Sequence, residues 1–519
     1  MMARIACGLV AAIGAIAVLG ATACHSNGPA APGAAPACRT PAACEARAAA
    51  RLEAVRGDPA AVRGFLAGFP KGGDLHNHMS GSVYAESYLA WAREDGLRID
   101  DTFKLMVPTA CNHECKELPA SPSEARYAEI VRAWSMQDFQ PGGAETGHDH
   151  FFAAFSKFGA VSHEEAREPA MLAETMRRAD DAGAIYLETL VTVARPLVAD
   201  IARAAGTLSD GKQIADFERK LHADPRWPAL ITSSLAQLRA RDAGARALLR
   251  CGEVDAAPAC NLAVRYVAQV GRTAAAGQIL AEVLAAYEVG QQEPRLAGVN
   301  LVSPEDNATA VRDYDLQMTI IGALHDEFAG KSPVRVTLHA GELAPALVAP
   351  AALAFHVRHA VELAHAERIG HGVDVLGETD APGLLAMLKQ RGVTIEVCLT
   401  SNATILGVSG ADHPLARLLA AGVPVALATD DAGVSRSSLT DEMVRAVRVQ
   451  DVTYAQLKAM VRASLTAAFV PGASLWAAPG KPVDACGKPG PACDAFLAGS
   501  ERARLQWKLE QQLAAFEAK

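Results

Sequence analysis

The chain has 519 residues, of which 50% are hydrophobic and 21% charged, so it can bury a large core and is not intrinsically disordered. Its formal net charge is −9 at pH 7, and the sequence contains no long run of Lys and Arg. This balance argues against a nucleic-acid partner, because such a partner requires a basic surface.

The first 24 residues have the pattern of an export signal. Arg4 precedes an almost uninterrupted apolar stretch over residues 5–19, and small residues lead up to Cys24. Residues 21–24 resemble a bacterial lipobox, so Cys24 is a candidate for lipidation, with plain cleavage as the alternative. A transmembrane anchor is a further interpretation, but the apolar stretch is shorter than the ~20 residues of a spanning helix. The sequence predicts an exported protein, either periplasmic, lipid-anchored in the outer membrane, or secreted.

The cysteines support export independently. Of eleven cysteines, eight lie in close pairs, which an oxidising compartment would join as disulfides. For the cluster around Cys111 and Cys115 a metal site is the alternative, although a structural zinc site needs a second ligand pair. Cys398 lies in an apolar run, so we expect a free thiol there. The predicted bridges are Cys38 with Cys44, Cys111 with Cys115, Cys251 with Cys260, and Cys486 with Cys493.

Residues 25–40, rich in Ala, Pro and Gly, predict a flexible linker that leads into a single domain over residues 41–519. In that domain short apolar, β-branched runs alternate with longer amphipathic stretches, the pattern of a parallel sheet. Eight runs predict an α/β fold, a (β/α)8 TIM-type barrel. The first two connections are far longer than usual and predict helical insertions near 95–180 and 193–260. The runs cover 73–78, 184–191, 262–270, 297–302, 334–339, 368–373, 394–399 and 423–429.

Ionisable residues concentrate at the predicted strand ends. His76 and His78 end the first strand, and their spacing of two places both imidazoles on one side of it. The carboxyl ends of barrel strands converge on one mouth, so residues from distant strands would meet there. Packing alone does not explain so many titratable groups at such positions. The others are His339 and Glu342 after the fifth strand, His371 in the sixth, and Asp430 and Asp431 after the eighth.

Three imidazoles and one carboxylate suit Zn²⁺ with a further position left open to water. Beside such an ion, His371 is placed to orient or deprotonate water. The Glu342 carboxylic acid is placed to protonate a ring nitrogen of a substrate. The sequence therefore predicts one zinc ion per chain and a hydrolytic reaction.

These motifs resemble the adenosine deaminase family of the amidohydrolase superfamily, in order and at similar strand ends. The resemblance covers most of the chain after about residue 65. The export signal, the insertion after the first strand and residues 70–73 are more like the family's secreted, growth-factor-related branch and its bacterial relatives. The motifs are residues 76–78, 339–342, 368–372, 401–402 and 429–431.

The resemblance implies specific roles. It implies zinc binding by His76, His78, His339 and Asp430. It also implies that Glu342 donates a proton to purine N1, that His371 acts on the attacking water, and that Asp431 contacts N7. The implied reaction is hydrolytic deamination of adenosine or 2′-deoxyadenosine to the inosine product and ammonia.

Three departures from the family pattern concern the substrate. Ser80 stands where an acidic residue usually holds the ribose 5′-hydroxyl, and Ser303 replaces a Gly whose backbone meets purine N3. In the same fourth-strand motif Asn300 replaces an Asp. These positions are outside the predicted metal and acid set, so they bear on the substrate rather than on the reaction type.

A second histidine cluster, at His148 and His150, lies in the first insertion. Because it is not at a strand end, the sequence favours a lid or packing role there over a metal site. The nearby Phe151, Phe152 and Phe155 have helical spacing and are predicted to pack in the core.

Two other functions stay open. One is a different mononuclear amidohydrolase acting on a modified purine nucleoside or nucleotide. A binuclear site is disfavoured because residues 300–303 contain no Lys to bridge two metals. The cytidine-type zinc deaminases are disfavoured because their cysteine signature is absent. The other is a non-catalytic nucleoside-binding protein, which would be expected to have lost a ligand or the acid. The oligomeric state is not predicted.

Overall fold

The computed structural model describes residues 38–111, 114–140, 143, 145–194 and 197–519. The predicted export signal and most of the predicted linker lie outside the described residues. In the described part, no helix has the length and apolar character needed to cross a membrane.

Eight parallel strands form one sheet in which each strand pairs with the next along the chain. A parallel bridge between Asn77 and Asp430 then joins the end of the last strand to the first. The predicted α/β barrel is therefore confirmed. We number its strands β1 (Gly73–His78), β2 (Tyr186–Val191), β3 (Ala263–Gly271), β4 (Leu296–Val302), β5 (Arg335–Ala340), β6 (Arg368–His371), β7 (Thr394–Val397) and β8 (Val425–Leu427).

The strands are short and mostly buried on both faces, because helices cover the outside of the barrel while side chains fill its interior. Three strands, β6, β7 and β8, end earlier than predicted. The chain turns at His371 (φ 66°), the last residue of β6, and at Asp430 (φ 57°), shortly after β8. Both are non-glycine residues in the left-handed region. These turns bring the side chains of the strand ends into the mouth of the barrel.

Helices precede the first barrel strand, connect successive strands and follow the last strand. Those before and within the insertions are Pro41–Val55, Pro59–Ala67, Met79–Ser82, Ala85–Glu94, Ala125–Ala133, Gly147–Ser162, Glu168–Asp181, Val198–Ala205, Ile214–Ala223 and Trp227–Leu248. Those that follow are Ala276–Gln292, Ala308–Arg312, Tyr314–Phe328, His356–Glu362, Ala381–Arg391, Leu399–Ile405, Leu415–Ala421, Ala432–Ser435, Leu439–Val449, Tyr454–Ala467, Pro491–Ala498 and Glu501–Ala518.

Shorter elements complete the described chain. Two small antiparallel ribbons pair Arg98–Ile99 with Leu105–Met106 and Trp476–Ala478 with Lys481–Pro482. Turns of 3-10 helix cover Pro108–Ala110, Glu165–Arg167, Gly211–Gln213, Pro258–Asn261, Pro350–Ala354, Gly410–Asp412 and Asp484–Cys486.

All four predicted disulfides are present, and Cys398 is a buried free thiol, as expected. The bridge between Cys111 and Cys115 removes both sulfurs from metal binding, so the alternative of a metal site at this cluster is wrong. Each bridge closes a loop of fewer than ten residues outside the barrel strands. The disulfides stabilise local loops, while the barrel is stabilised by its own hydrophobic core.

Candidate functional site

The predicted metal ligands meet at the mouth of the barrel. One ligand atom from each of His76, His78, His339 and Asp430 lies within 4.8 Å of the others. His339 Nε2 is 3.0 Å from His76 Nε2 and 3.2 Å from His78 Nε2, and Asp430 Oδ1 is 3.2 Å from His78 Nε2. All four residues are buried.

Hydrogen bonds to Nδ1 fix the proton position on two of these imidazoles. His76 Nδ1 lies 2.7 Å from the Glu396 carboxylate, and His339 Nδ1 lies 2.9 Å from the side-chain oxygen of Asn300. Both partners are acceptors, so each imidazole carries its proton on Nδ1 and presents a bare Nε2 lone pair. Two such nitrogens at 3.0 Å repel each other unless a proton or a metal cation lies between them. The donor set therefore fits a metal ion.

The Asp430 carboxylate is held as an anion at this point. Burial alone would raise the pKa of Asp430, but the adjacent imidazoles of His76 and His78 outweigh burial and lower that pKa well below its usual range. Ser401 Oγ donates to Asp430 Oδ2 over 2.6 Å. The serine thus fixes the carboxylate oxygen that does not face the imidazoles.

The predicted acid and its histidine neighbour lie beside the ligand cluster. Glu342 Oε1 is 3.6 Å from His371 Nδ1, and both side chains are buried. Burial raises the pKa of Glu342 to about 7, which suits a carboxylic acid that holds its proton near neutrality. His371 Nδ1 also contacts the amide oxygen of Asn402 at 2.9 Å, whereas its Nε2 has no hydrogen-bond partner among the described residues.

A buried carboxylate, Glu305, positions the loop that carries the acid. It accepts hydrogen bonds from the backbone N–H groups of Gly341 and Glu342 and contacts His356 Nδ1 at 2.5 Å. Burial alone would raise its pKa, but Arg272 and His356 outweigh burial and lower that pKa to about 2. The loop therefore packs against a permanent negative charge.

The residues predicted to contact the substrate lie on the same rim. Asp431 is buried and its Oδ1 has no partner among the described residues. Gly81 packs so closely on this carboxyl that a Cβ there would lie 1.5 Å from Oδ1. Ser80, in the short helix after β1, is partly exposed, and Ser303 follows β4 at φ 83°. Ser303 keeps a backbone conformation that favours glycine, at the position where the family pattern has one.

The second histidine cluster does not form a metal site in the described structure. His150 contacts two backbone carbonyls, those of Arg132 and Ser135, and His148 Nε2 lies 3.1 Å from Asp306 Oδ1. Helix Gly147–Ser162 lies against helix Leu399–Ile405 on the rim of the barrel. This helix therefore packs beside the mouth of the barrel. Phe151 is in the core, and Phe152 and Phe155 pack against it while partly exposed.

The sequence assigned no role to several residues that organise this site. Glu396 and Asn300 fix two imidazoles, Glu305 holds the acid loop, and Ser401 and Asn402 hold Asp430 and His371. For Glu396 and Asn300 the available signal was a charged or amide residue inside an otherwise apolar strand. Such a residue is costly to bury unless it has a fixed partner.

Fold and site together define an α/β barrel with a cluster of His and Asp side chains, suited to a metal ion, at the carboxyl ends of its strands. Residues 236–475 match the family model described as adenosine deaminase. An adenine deaminase of Rhizobium leguminosarum bv. trifolii is 34% identical over 188 residues, which are 36% of this chain and 52% of that protein. An adenosine deaminase of Clostridium perfringens is 34% identical over 144 residues, 28% of this chain and 40% of that protein.

The chain thus spans about half the length or less of these curated relatives, and residues 236–475 are similar to the adenosine deaminase family. Solved structures share the fold over most of the chain. The adenine deaminase of Arthrobacter aurescens has a TM-score of 0.52 at 18% identity, covering 85% of this chain and 98% of that one. The Arabidopsis ADAL complex with IMP has a TM-score of 0.54 at 17% identity, covering 87% and 98%.

Proposed function

We propose that this protein is a zinc-dependent purine aminohydrolase that converts adenosine and 2′-deoxyadenosine to inosine and 2′-deoxyinosine with release of ammonia. The observation that carries the proposal is the ligand cluster with a buried acid beside it, Glu342, whose pKa burial raises to about 7. A non-catalytic binding protein would have no use for this acid. Every predicted ligand and the acid are retained.

Three imidazoles and one carboxylate are ligands that zinc prefers. When bound, zinc supplies a nucleophile at neutral pH by lowering the pKa of water. His371 lies beside the cluster and orients the attacking water. Glu342 donates its proton to purine N1, which makes C6 more electrophilic.

Asp431 orients the purine through N7. Because N7 is an acceptor, the contact requires a protonated carboxyl group. Burial, and the nearby charge of Asp430, raise the pKa of Asp431 well above its usual range, so that it can donate this hydrogen bond. Gly81 is then required beside it, since a side chain at that position would collide with the same carboxyl.

The nucleoside rather than the nucleotide is the first choice of substrate, but the 5′ end is less restricted than an acidic residue would make it. Ser80 offers a neutral hydroxyl to the ribose 5′ position, and the backbone of Ser303 faces N3. Replacing a carboxylate by a hydroxyl weakens a hydrogen bond by about 1–2 kcal/mol, roughly a tenfold change in affinity, and removes a charge that would repel a phosphate. Adenine and N6-methyl-AMP are the alternative substrates, since relatives of similar fold carry those names.

Steady-state turnover by the zinc-loaded protein tests the reaction. Adenosine and 2′-deoxyadenosine should be deaminated, and Glu342→Gln should lower kcat by at least ~10²-fold with zinc still bound, because Gln keeps the shape but has no acidic proton. Near-normal turnover by Glu342→Gln would remove this residue from the mechanism. A protein that binds zinc and adenosine without turnover would be a nucleoside-binding protein instead.

The choice of substrate is tested on adenine, adenosine, 5′-deoxyadenosine, AMP and N6-methyl-AMP with the native chain, Ser80→Asp and Ser80→Ala. We expect Ser80→Asp to favour adenosine over 5′-deoxyadenosine and AMP. Ser80→Ala, which adds no charge, is the matched control. Unchanged discrimination in Ser80→Asp would show that residue 80 does not contact the 5′ position.

We further propose that residues 1–24 are an export signal, that 25–40 are a linker, that 41–519 form the deaminase barrel, and that the protein belongs to the secreted, growth-factor-related branch or its bacterial relatives. The four disulfides support an oxidising compartment. Mass analysis of the mature N-terminus distinguishes lipidation of Cys24 from plain cleavage. Intact chains that begin at Met1 with reduced thiols would contradict export.

A further inference from the structure

Behind His371 lies a short line of buried polar groups formed by Asn402 and His413, the Asn402–His413 pair. His371 and Asn402 are fully buried, and His413 is 3% exposed. The structure places the amide oxygen of Asn402 2.9 Å from His371 Nδ1 and the amide nitrogen 2.9 Å from His413 Nε2. On the far side, the backbone N–H of Leu415 donates to His413 Nδ1 over 3.1 Å.

The neighbours of His413 fix its proton. Leu415 begins helix Leu415–Ala421, where the first N–H groups have no partner inside the helix, and Leu415 is itself buried. Its N–H needs an acceptor, so His413 Nδ1 carries no proton. Burial lowers the pKa of His413 to about 4, and the neutral ring therefore carries its single proton on Nε2.

That proton decides the orientation of the Asn402 amide. With the amide nitrogen towards His413 Nε2–H, two buried donors would face each other at 2.9 Å. The oxygen and nitrogen of an amide have nearly the same shape, and their hydrogen-bond partners determine which is which. With the two exchanged, the oxygen accepts from His413 Nε2–H and the nitrogen donates to His371 Nδ1.

We propose that the Asn402–His413 pair holds His371 in the tautomer that carries its proton on Nε2. His371 Nδ1 accepts the amide hydrogen bond and is unprotonated. Its Nε2 is the buried atom without a partner among the described residues, in a ring whose centroid is 5.1 Å from that of His76 and 5.2 Å from that of His339. Asn402 and His413 are thus positioning residues for His371.

This tautomer distinguishes two roles for His371. With its proton on Nε2, His371 donates a hydrogen bond to the attacking water and orients a lone pair towards the substrate. It is not poised to remove a proton from that water through Nε2. This role of His371 towards the attacking water rests on the proposed function, whereas the assignment of the tautomer does not.

Neutron diffraction from deuterium-exchanged crystals of the zinc-loaded, substrate-free chain tests the tautomer directly. We expect deuterium on His371 Nε2 and on His413 Nε2, with the Asn402 oxygen towards His413. In Asn402→Asp, a carboxylate that only accepts faces both rings, so the deuterium of His371 should move to Nδ1. Deuterium on Nδ1 in the native chain, or no change in Asn402→Asp, would overturn the proposal.

Kinetics of two His413 variants test the effect on the reaction. Gln at 413 can accept from Leu415 N–H and donate to Asn402, so His413→Gln should keep kcat within about 3-fold of native. His413→Leu does neither and should lower kcat at least ~10-fold with a smaller change in KM. Melting temperatures of both variants report any loss of folding. Equal kcat in the two variants would show that the Asn402–His413 pair has no role in catalysis. If the deuterium positions are as expected but the chain does not deaminate purines, the proposed function is wrong and the tautomer assignment stands.

Discussion

Hydrogen bonds to Nδ1 determine the orientation and the tautomer of the imidazoles in this site. The side-chain oxygen of Asn300 accepts hydrogen bonds from the ring N–H and the backbone N–H of His339, over 2.9 and 2.8 Å. A partner of this kind fixes the ring and its tautomer and increases the basicity of the ligand. Asn300 was noted from the sequence only as a departure from a family motif, but its position makes it a support of the metal centre.

Replacing Asn300 should therefore weaken metal binding. In Asn300→Leu, of similar volume but without an acceptor, we expect zinc affinity to fall by about 10–100-fold. Competition with a chelator of known affinity measures the change. Asn300→Asp keeps an acceptor on His339 and is the matched control. Equal losses in the two variants would mean that packing, and not the hydrogen bond, is what matters at residue 300.

The buried carboxyl group of Glu442 leads to a second prediction at the scale of one residue, on the pH dependence of stability. It is 1% exposed, accepts from the backbone N–H of Thr400, and its other oxygen has no partner among the described residues. Burial raises its pKa from an ordinary 4.5 to about 7. Because the folded-state pKa is raised, the contribution of Glu442 to stability is fully present below pH 4.5 and is lost as the pH rises through 7.

Glu442→Gln keeps the acceptor for Thr400 and removes the buried charge. Its free energy of unfolding should exceed that of the native chain by up to about 3 kcal/mol at pH 8 and by little at pH 4.5. Urea unfolding at both pH values measures the difference. Glu129→Gln, the same replacement at an exposed position, is the control. A gain that is the same at both pH values would exclude ionisation of Glu442 as its cause.

At the scale of elements, two helices from distant parts of the chain form the rim beside the site. Helix Gly147–Ser162 comes from the first insertion, and helix Leu399–Ile405 carries Ser401 and Asn402. They meet where Gly147 lies against the carbonyl oxygen of Thr404, so closely that a Cβ would be 1.8 Å from it. The insertion therefore supports the helix that holds two site residues.

Gly147→Ala tests this contact. The added methyl group must displace Thr404, so we expect a loss of about 1–3 kcal/mol in stability and a lower kcat through movement of Ser401 and Asn402. Gly159→Ala, in the same helix, meets only an ordinary contact at 3.5 Å and should be neutral or stabilising by up to ~1 kcal/mol. If Gly147→Ala destabilises the chain but leaves kcat unchanged, the insertion does not support the site.

At the scale of the whole molecule, a buried ion-pair network lies beneath the metal ligands. Arg368 bridges the carboxylates of Glu188 and Glu396, and Glu396 in turn accepts from His76. Burial alone would raise the pKa of Glu396, but Arg368 and His76 outweigh it and hold that pKa at about 2. The interior of the barrel thus links strands β2, β6, β7 and β1 through charges that removal of one partner would leave uncompensated.

The sequence by itself determined the barrel and the identity of the candidate ligands. Alternation of apolar runs and amphipathic stretches is a local property, and burial on both faces makes most strands visible as apolar runs. Barrel topology places the carboxyl ends of all strands at one mouth, and the resemblance to the adenosine deaminase family then singled out His76, His78, His339 and Asp430. The disulfides could be paired because their partners are close in sequence.

Only the tertiary structure decided which groups control those ligands. Glu396, Asn300 and Glu305 act across strands through hydrogen bonds whose partners are tens to hundreds of residues away, and no local pattern encodes such a pairing. The same holds for the contact of Gly147 with Thr404. Proton positions depend on complete sets of donors and acceptors around buried rings, and these sets exist only once the chain has folded.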